Sequence, residues 1–174
     1  MLIDKSDINN YNQPLLAEYT RNFEFIAAGI KDVEIILQKL IAFQIAIPSW
    51  ALDTGGTRFG RFPGGGEPRS LEEKIEDIGL LHALNKSSGA ISLHIPWDIP
   101  ENATSIKALA AQHGLRFDAM NSNTFQDQPD QKLSYKYGSL QNVNKEIRRQ
   151  AIDHNIKVIN YGDKKVTTAS KNSF

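Results

Sequence analysis

Ala90-Ile91-Ser92-Leu93-His94-Ile95 is the stretch on which the reading of this chain turns. It is short and apolar, and Pro96 closes it, as expected of a buried strand. Amphipathic helices are predicted on either side. Upstream, Ser70 stands as an N-cap, Glu73 as its capping-box partner, and Leu71, Ile75, Ile78 and Leu81 as an apolar face. Downstream, a helix is predicted from about Ala103 to His113, with Gly114 just past its end. Two more strands fit the same plan. Phe43-Gln44-Ile45-Ala46-Ile47 is ended by Pro48, and Phe117-Asp118-Ala119-Met120 opens a third.

Residues 1–42 read as two helices. Asp7 is the expected cap of the first, with Leu15, Leu16, Tyr19, Phe23 and Ile26 at helical spacing. Gly29 interrupts, and Val33, Ile36, Leu37, Leu40 and Ile41 resume the period. A last helix is expected from about Asn142 to Tyr161, with Ile147, Ala151, Ile152, Ile156 and Ile159 on one face. Helices followed by strand–helix units repeated three times imply an α/β fold with parallel strands and right-handed crossovers.

Composition narrows the function classes. The 174 residues suit one domain, and 40% hydrophobic with 23% charged residues suits a globular one. Twenty basic residues balance twenty acidic ones, which argues against nucleic acid as a partner. No apolar run approaches the ~20 residues of a membrane span, and the N-terminus lacks the layout of a secretory signal. The absence of cysteine excludes disulfides, thiolate nucleophiles and Cys-ligated zinc. A soluble, cytoplasmic protein is expected.

In parallel α/β folds, ligands bind at the carboxyl ends of the strands. The chemically distinctive residues collect there: Ser49, Trp50 and Asp53 after the first strand, His94, Trp97 and Asp98 at the second, Asn121, Asn123 and Phe125 after the third. Histidine moves protons near neutral pH, and aromatic walls suit the apolar faces of a sugar; the alternative is that Trp50 and Trp97 only pack and His94 is a satisfied buried histidine. Residues 53–69 form a long connection holding six of the twelve glycines, and Arg58, Arg61 and Arg69 lie in it. It lacks both glycine patterns of phosphate-binding loops, so a mobile or interface-forming loop is the expectation. His94 and Asp98 could approach a metal but have no third partner at diagnostic spacing, and no metal site is expected within the chain. His82 and His113 read as surface residues of helices, and His154 lies beside Asp153 in the final helix.

Three segments go further. Ile47-Pro-Ser-Trp50 with Thr54-Gly-Gly-Thr-Arg-Phe-Gly-Arg-Phe-Pro-Gly-Gly-Gly-Glu-Pro-Arg69 is the first. Ser92-Leu-His-Ile-Pro-Trp-Asp98 is the second, and Phe117-Asp-Ala-Met-Asn-Ser-Asn-Thr-Phe125 with Ser134-Tyr-Lys-Tyr-Gly-Ser139 is the third. In this order they closely resemble the bacterial L-rhamnose isomerase family, sugar isomerases with a xylose-isomerase-like TIM barrel. The resemblance covers about residues 10–162. It implies a metal-dependent aldose–ketose isomerisation of a sugar such as L-rhamnose, with Mn²⁺ or another divalent cation polarising the substrate oxygens. By match to the family's Leu-His-Ile-Pro-Trp segment, His94 would contact the ring oxygen and assist ring opening. Trp50 and Phe125 would wall the sugar pocket, and Phe59 would reach into a neighbouring subunit of a homotetramer.

The family's metal ligands, a glutamate, two aspartates and a histidine, lie on later strands that these residues do not include. A full barrel takes about 250 residues. The expectation is therefore a partial (β/α)8 TIM barrel: N-terminal helices over 1–42, three parallel βα units over 43–162, and a divergent polar tail over 163–174. Such an N-terminal fragment would bind no metal and be inactive by itself. The alternative is a non-catalytic half-barrel module for sugar binding or subunit interaction.

Overall fold

The computed structural model describes residues 4–52, 55–57, 60–62 and 65–165. Among them are five α-helices and two small sheets.

Helix α1 (Lys5–Ala27) begins one turn before the expected cap. Asp4, not Asp7, is its N-cap and accepts from the Ser6 N–H at 3.1 Å. Asp7 lies in the first turn instead, where a carboxylate faces the positive end of the helix dipole. Helix α2 (Val33–Ala42) follows the predicted stretch, yet none of its residues is buried. The apolar period in these helices was real, but most of the face it marks is uncovered. Ile8 alone in α1 is buried, while Leu16, Tyr19, Ile26, Leu40 and Ile41 are exposed.

Strand β1 (Ala46–Pro48) starts three residues later than expected. Phe43 and Ile45 are exposed, and Gln44 between them ties this segment to the turn before the next parallel strand. Its amide donates to the carbonyls of Ile41 and Lys86, at 3.0 and 3.2 Å, and accepts from the Gly89 N–H at 2.8 Å. A one-turn 3-10 helix (Ser49–Ala51) continues from β1. Within the glycine-rich connection, β2 (Gly55–Thr57) and β3 (Gly60–Phe62) pair antiparallel, so the stretch read as an irregular loop contains a short hairpin.

Helix α3 (Leu71–Asn85) is capped by Ser70, whose hydroxyl accepts from the Glu73 N–H at 3.3 Å. The return bond is displaced by one residue. Glu73 accepts from the Arg69 N–H at 2.6 Å and pairs with its guanidinium at 2.6 Å, which holds the Glu73 carboxyl below its ordinary range. Strand β4 (Ala90–His94), helix α4 (Ala103–Gln112) and strand β5 (Arg116–Asn121) follow. Gly114, at φ 69°, ends α4 in a Schellman arrangement: Gly114 N–H donates to Ala111 O and Leu115 N–H to Ala110 O.

The parallel sheet has the order β1-β4-β5, so chain-successive parallel strands are neighbours. Its core is one layer deep. Ile91 and Leu93 of β4 pack with Leu71, Ile75 and Ile78 of α3 and with Ile106 and Ala110 of α4. Side chains alternate along a strand, so Ser92 and His94 project to the opposite face. A register shift between Ile91 and Leu93 gives β5 one extra residue and brings Asn121 beside His94.

Helix α5 (Lys145–Lys165) starts three residues after the expected Asn142, because Asn144 is the residue whose side chain caps it, accepting from the Glu146 N–H at 2.8 Å. Its inward line is Ala151, His154 and Val158, while the expected Ile152, Ile156 and Ile159 are exposed. Both lines have helical spacing, and periodicity could not choose between them. Residues 163–165 continue this helix, and 166–174 lie outside the described residues. No described helix is long and apolar enough to cross a membrane.

His82 and His113 are not surface residues. Both are half-buried, with His113 packed against Gly79 of α3. His82 Nδ1 is buried without a partner among the described residues. Burial, with a smaller push from the Lys86 ammonium, holds the His82 imidazole below its ordinary 6.5. The unfolded chain therefore binds a proton at His82 more readily than the folded one, and stability falls as pH drops below that ordinary value. Acidification from about pH 7.5 to about pH 5.5 should lower Tm, and His82→Gln should lessen the drop. Gly79 makes a second prediction. An added Cβ would stand 2.5 Å from His113 Nδ1 and 2.8 Å from its Cβ, too close for ring rotation to relieve. Overpacking of about 1–3 kcal/mol should outweigh the ~1 kcal/mol of helix propensity gained. Urea unfolding of Gly79→Ala should show a net loss of up to about 2 kcal/mol, recovered only in part by adding His113→Ala, which removes the ring but keeps the Cβ contact.

Candidate functional site

The carboxyl ends of β1 and β4 bring together residues more than forty positions apart. Trp50 sits in the 3-10 turn directly after β1, and His94 is the last residue of β4. Trp97 follows in a tight turn that contains the cis Ile95–Pro96 bond. The His94 imidazole contacts both indoles, with ring centroids 4.9 Å from Trp50 and 4.7 Å from Trp97, tilted at 54° and 38°. These distances and tilts suit attractive aromatic contacts. They account for every tryptophan in the chain.

A carboxylate anchors this cluster. Asp98 is 1% exposed and accepts three hydrogen bonds. One comes from the Ser49 hydroxyl, one from the Lys74 ammonium at 2.9 Å and one from the His94 N–H at 2.6 Å. The Asp98 N–H donates back to the His94 carbonyl at 2.9 Å, closing the turn that carries Trp97. Lys74 belongs to the buried face of α3, where its side chain is 8% exposed. Its place beside Leu71, Ile75 and Ile78 was the available sequence signal, since a lysine is almost never buried unless paired.

Some polar atoms here are unsatisfied. His94 Nε2 is buried and has no hydrogen-bond partner among the described residues. Asn123 is fully buried at φ 54°, and neither its Oδ1 nor its Nδ2 has a partner among them. A buried polar group left unpaired costs about 1–3 kcal/mol.

The other candidates stand differently. Phe125 is 62% exposed on the connection after β5, and its ring is not among those stacked on His94. Phe59, Asp53 and Arg58 lie outside the described residues. His154 Nε2 donates to the Ser122 carbonyl at 2.7 Å and so fastens α5 to that connection. Asn121 Oδ1 accepts from the Asn123 N–H, a local turn bond.

The described residues do not fit the divalent cation implied by the family resemblance. No three His, Asp or Glu side chains converge among them. Both oxygens of Asp98 are engaged by Ser49, Lys74 and the His94 N–H.

No protein-family model matches the chain. Individual relatives do. Over 166 residues the chain is 41% identical to a protein of Rhizobium meliloti named a probable sugar isomerase. Over 130 residues it is 51% identical to another so named, from Mesorhizobium japonicum. These likenesses support a sugar isomerase family. They extend over 93% and 75% of this chain. The chain spans well under half the length of these curated relatives, 39% of the first and 30% of the second.

The Lys74–Asp98 pair makes the prediction of this site. Removing one member leaves the other charge buried and uncompensated, at a cost of about 3–5 kcal/mol. Lys74→Met should lower unfolding stability by about that amount, whereas Arg69→Met, at the exposed Arg69–Glu73 pair, should change it little.

Proposed function

We propose that this chain supplies part of the sugar pocket of an aldose–ketose isomerase of the L-rhamnose isomerase type. The observation that carries the reading is the His94 imidazole, in contact with both Trp50 and Trp97 and with Nε2 unpartnered among the described residues. Imidazole can give or take a proton near neutrality, the chemistry that opening a sugar ring at its ring oxygen requires. Indole faces beside it shield apolar C–H surfaces of the sugar from water. Phe125 and Phe59 complete the wall in this proposal, Phe59 from a neighbouring copy in a homotetramer. The similarity to relatives named probable sugar isomerases supports the substrate class. L-rhamnose itself rests on the three motifs.

The sheet order supports a barrel. Parallel strands β1, β4 and β5 are adjacent in chain order, as a barrel requires, an order that one half of a doubly wound sheet shares. The three βα units are then the opening part of a (β/α)8 barrel, with the pocket at the carboxyl ends of the strands. Mn²⁺ or a similar cation enters the proposal through the resemblance alone. Its ligands would be residues other than those described, and no step here runs through it. Residues 1–174 then bind sugar without converting it.

A second reading is a half-barrel module that binds sugar or another subunit without catalysis. It is favoured by Asp98, whose oxygens are committed to structural partners beside the histidine.

The test uses the two tryptophans as reporters. L-rhamnose should change the intrinsic fluorescence of residues 1–174, D-glucitol should do so less, and Trp50→Phe should diminish the response. Conversion of L-rhamnose to L-rhamnulose with added Mn²⁺ should require the protein that also carries the metal ligands. Fluorescence indifferent to sugar would overturn the pocket, and turnover by residues 1–174 would overturn the division of roles.

A further inference from the structure

The geometry points to Asp98 as the positioning residue of this pocket: its carboxylate fixes where the Trp50 and Trp97 rings stand relative to the His94 imidazole. The importance of that placement for sugar rests on the function proposed above. The placement itself rests on hydrogen bonds.

Consider first what holds Trp50. The β1–β4 ladder pairs Ala46 with Ala90, Ile47 with Ile91 and Pro48 with Ser92, and there it stops. Trp50 lies two residues beyond. Ser49, fully buried and adjacent to Trp50 in the same 3-10 turn, carries the connection onward through its bond to Asp98 Oδ2. The Trp50 segment is thereby tied to the end of β4 where the ladder no longer does so.

Trp97 and His94 are held from the same carboxylate. Asp98 Oδ2 accepts the His94 N–H, and the Asp98 N–H reaches back to the His94 carbonyl. These two bonds brace the four-residue return on which Trp97 rides. Lys74 Nζ on Oδ1 fixes the carboxylate against α3 and offsets its charge in a buried setting. An ionised carboxylate accepts about four hydrogen bonds, so three partners from three elements are within its capacity. Asp98 touches no ring of the cluster through its carboxylate, and therefore acts through Ser49 and the His94 backbone.

A merely structural role would change stability and leave the ring geometry of the folded protein alone. Ring currents separate the two. The chain has four histidines, so labelling them with ¹³C at Cε1 gives few signals. That of His94, assigned by its loss in His94→Gln, comes from a ring whose centroid is within 5 Å of both indole centroids. At constant pH, Trp50→Ala and Trp97→Ala should each displace it. Ser49→Ala removes only one of the three bonds to Asp98 and is the variant of choice, since Asp98→Ala also removes the Lys74–Asp98 ion pair. Ser49→Ala should displace the His94 signal as Trp50→Ala does, and should add nothing further when Trp50 is already alanine. In the Trp97→Ala background it should still produce its full shift.

A folded Ser49→Ala protein with a lowered Tm and an unmoved His94 signal would overturn the proposal. So would strictly additive shifts of Ser49→Ala and Trp50→Ala. The readout contains no sugar, so its failure sinks the positioning role alone. Ring shifts that behave as expected in a chain whose fluorescence ignores L-rhamnose would sink the functional reading and leave Asp98 in place.

Discussion

The buried Asp98 carboxylate is the point at which the carboxyl ends of β1 and β4 and the inner face of α3 meet. A charge at 1% exposure is tolerable only if its partners replace the water it has lost, and here each partner comes from a different element. Ser49, Lys74 and the His94 N–H must therefore be in register for the sheet and helix to pack at all. The same requirement delivers Trp50, His94 and Trp97 to one place. Stability and site geometry thus draw on one set of bonds.

The apolar packing around that charge is unevenly distributed. Strand β4 is the centre of the parallel sheet, and its Ile91 and Leu93 carry the core with α3 and α4. Beyond this region burial thins quickly. Helix α2 contributes no buried residue, and the exposed isoleucines of α5 run along one side of that helix. Strands β1 and β5 are both edges of the three-stranded sheet. An amphipathic helix gains most of its stability from packing, so the isolated helices at the N-terminus should be the first to loosen.

The elements were legible where their signals were local. Ser70 as the cap of α3, Gly114 beyond α4 and the apolar run of β4 depend on backbone rules that operate within a few residues. The cluster at the strand ends was also readable, since a parallel α/β plan sends such residues to one edge. Errors arose where two local signals competed. Asp4 and Asp7 can each serve the start of α1, and α5 carries two lines of apolar residues at helical spacing. The displaced partner of Glu73 shows the same limit, because a carboxylate selects whichever N–H the neighbouring cation brings nearest.

The sequence by itself determined the order of the helices and of the parallel strands, the placement of His94 and Trp50 at strand ends, and the likeness to sugar isomerases. All of these follow from short-range pattern or from motifs read as strings. Only the tertiary structure decided that Trp97 joins Trp50 on the imidazole and that Lys74 pairs with Asp98. It also decided that the Asn123 side-chain amide is buried without a partner among the described residues, and that Phe125 is largely exposed. Pairing across 24 residues or 49 residues is invisible to periodicity. It is set by which faces the packed helix and sheet turn toward each other, and by the need to neutralise a charge once water is gone.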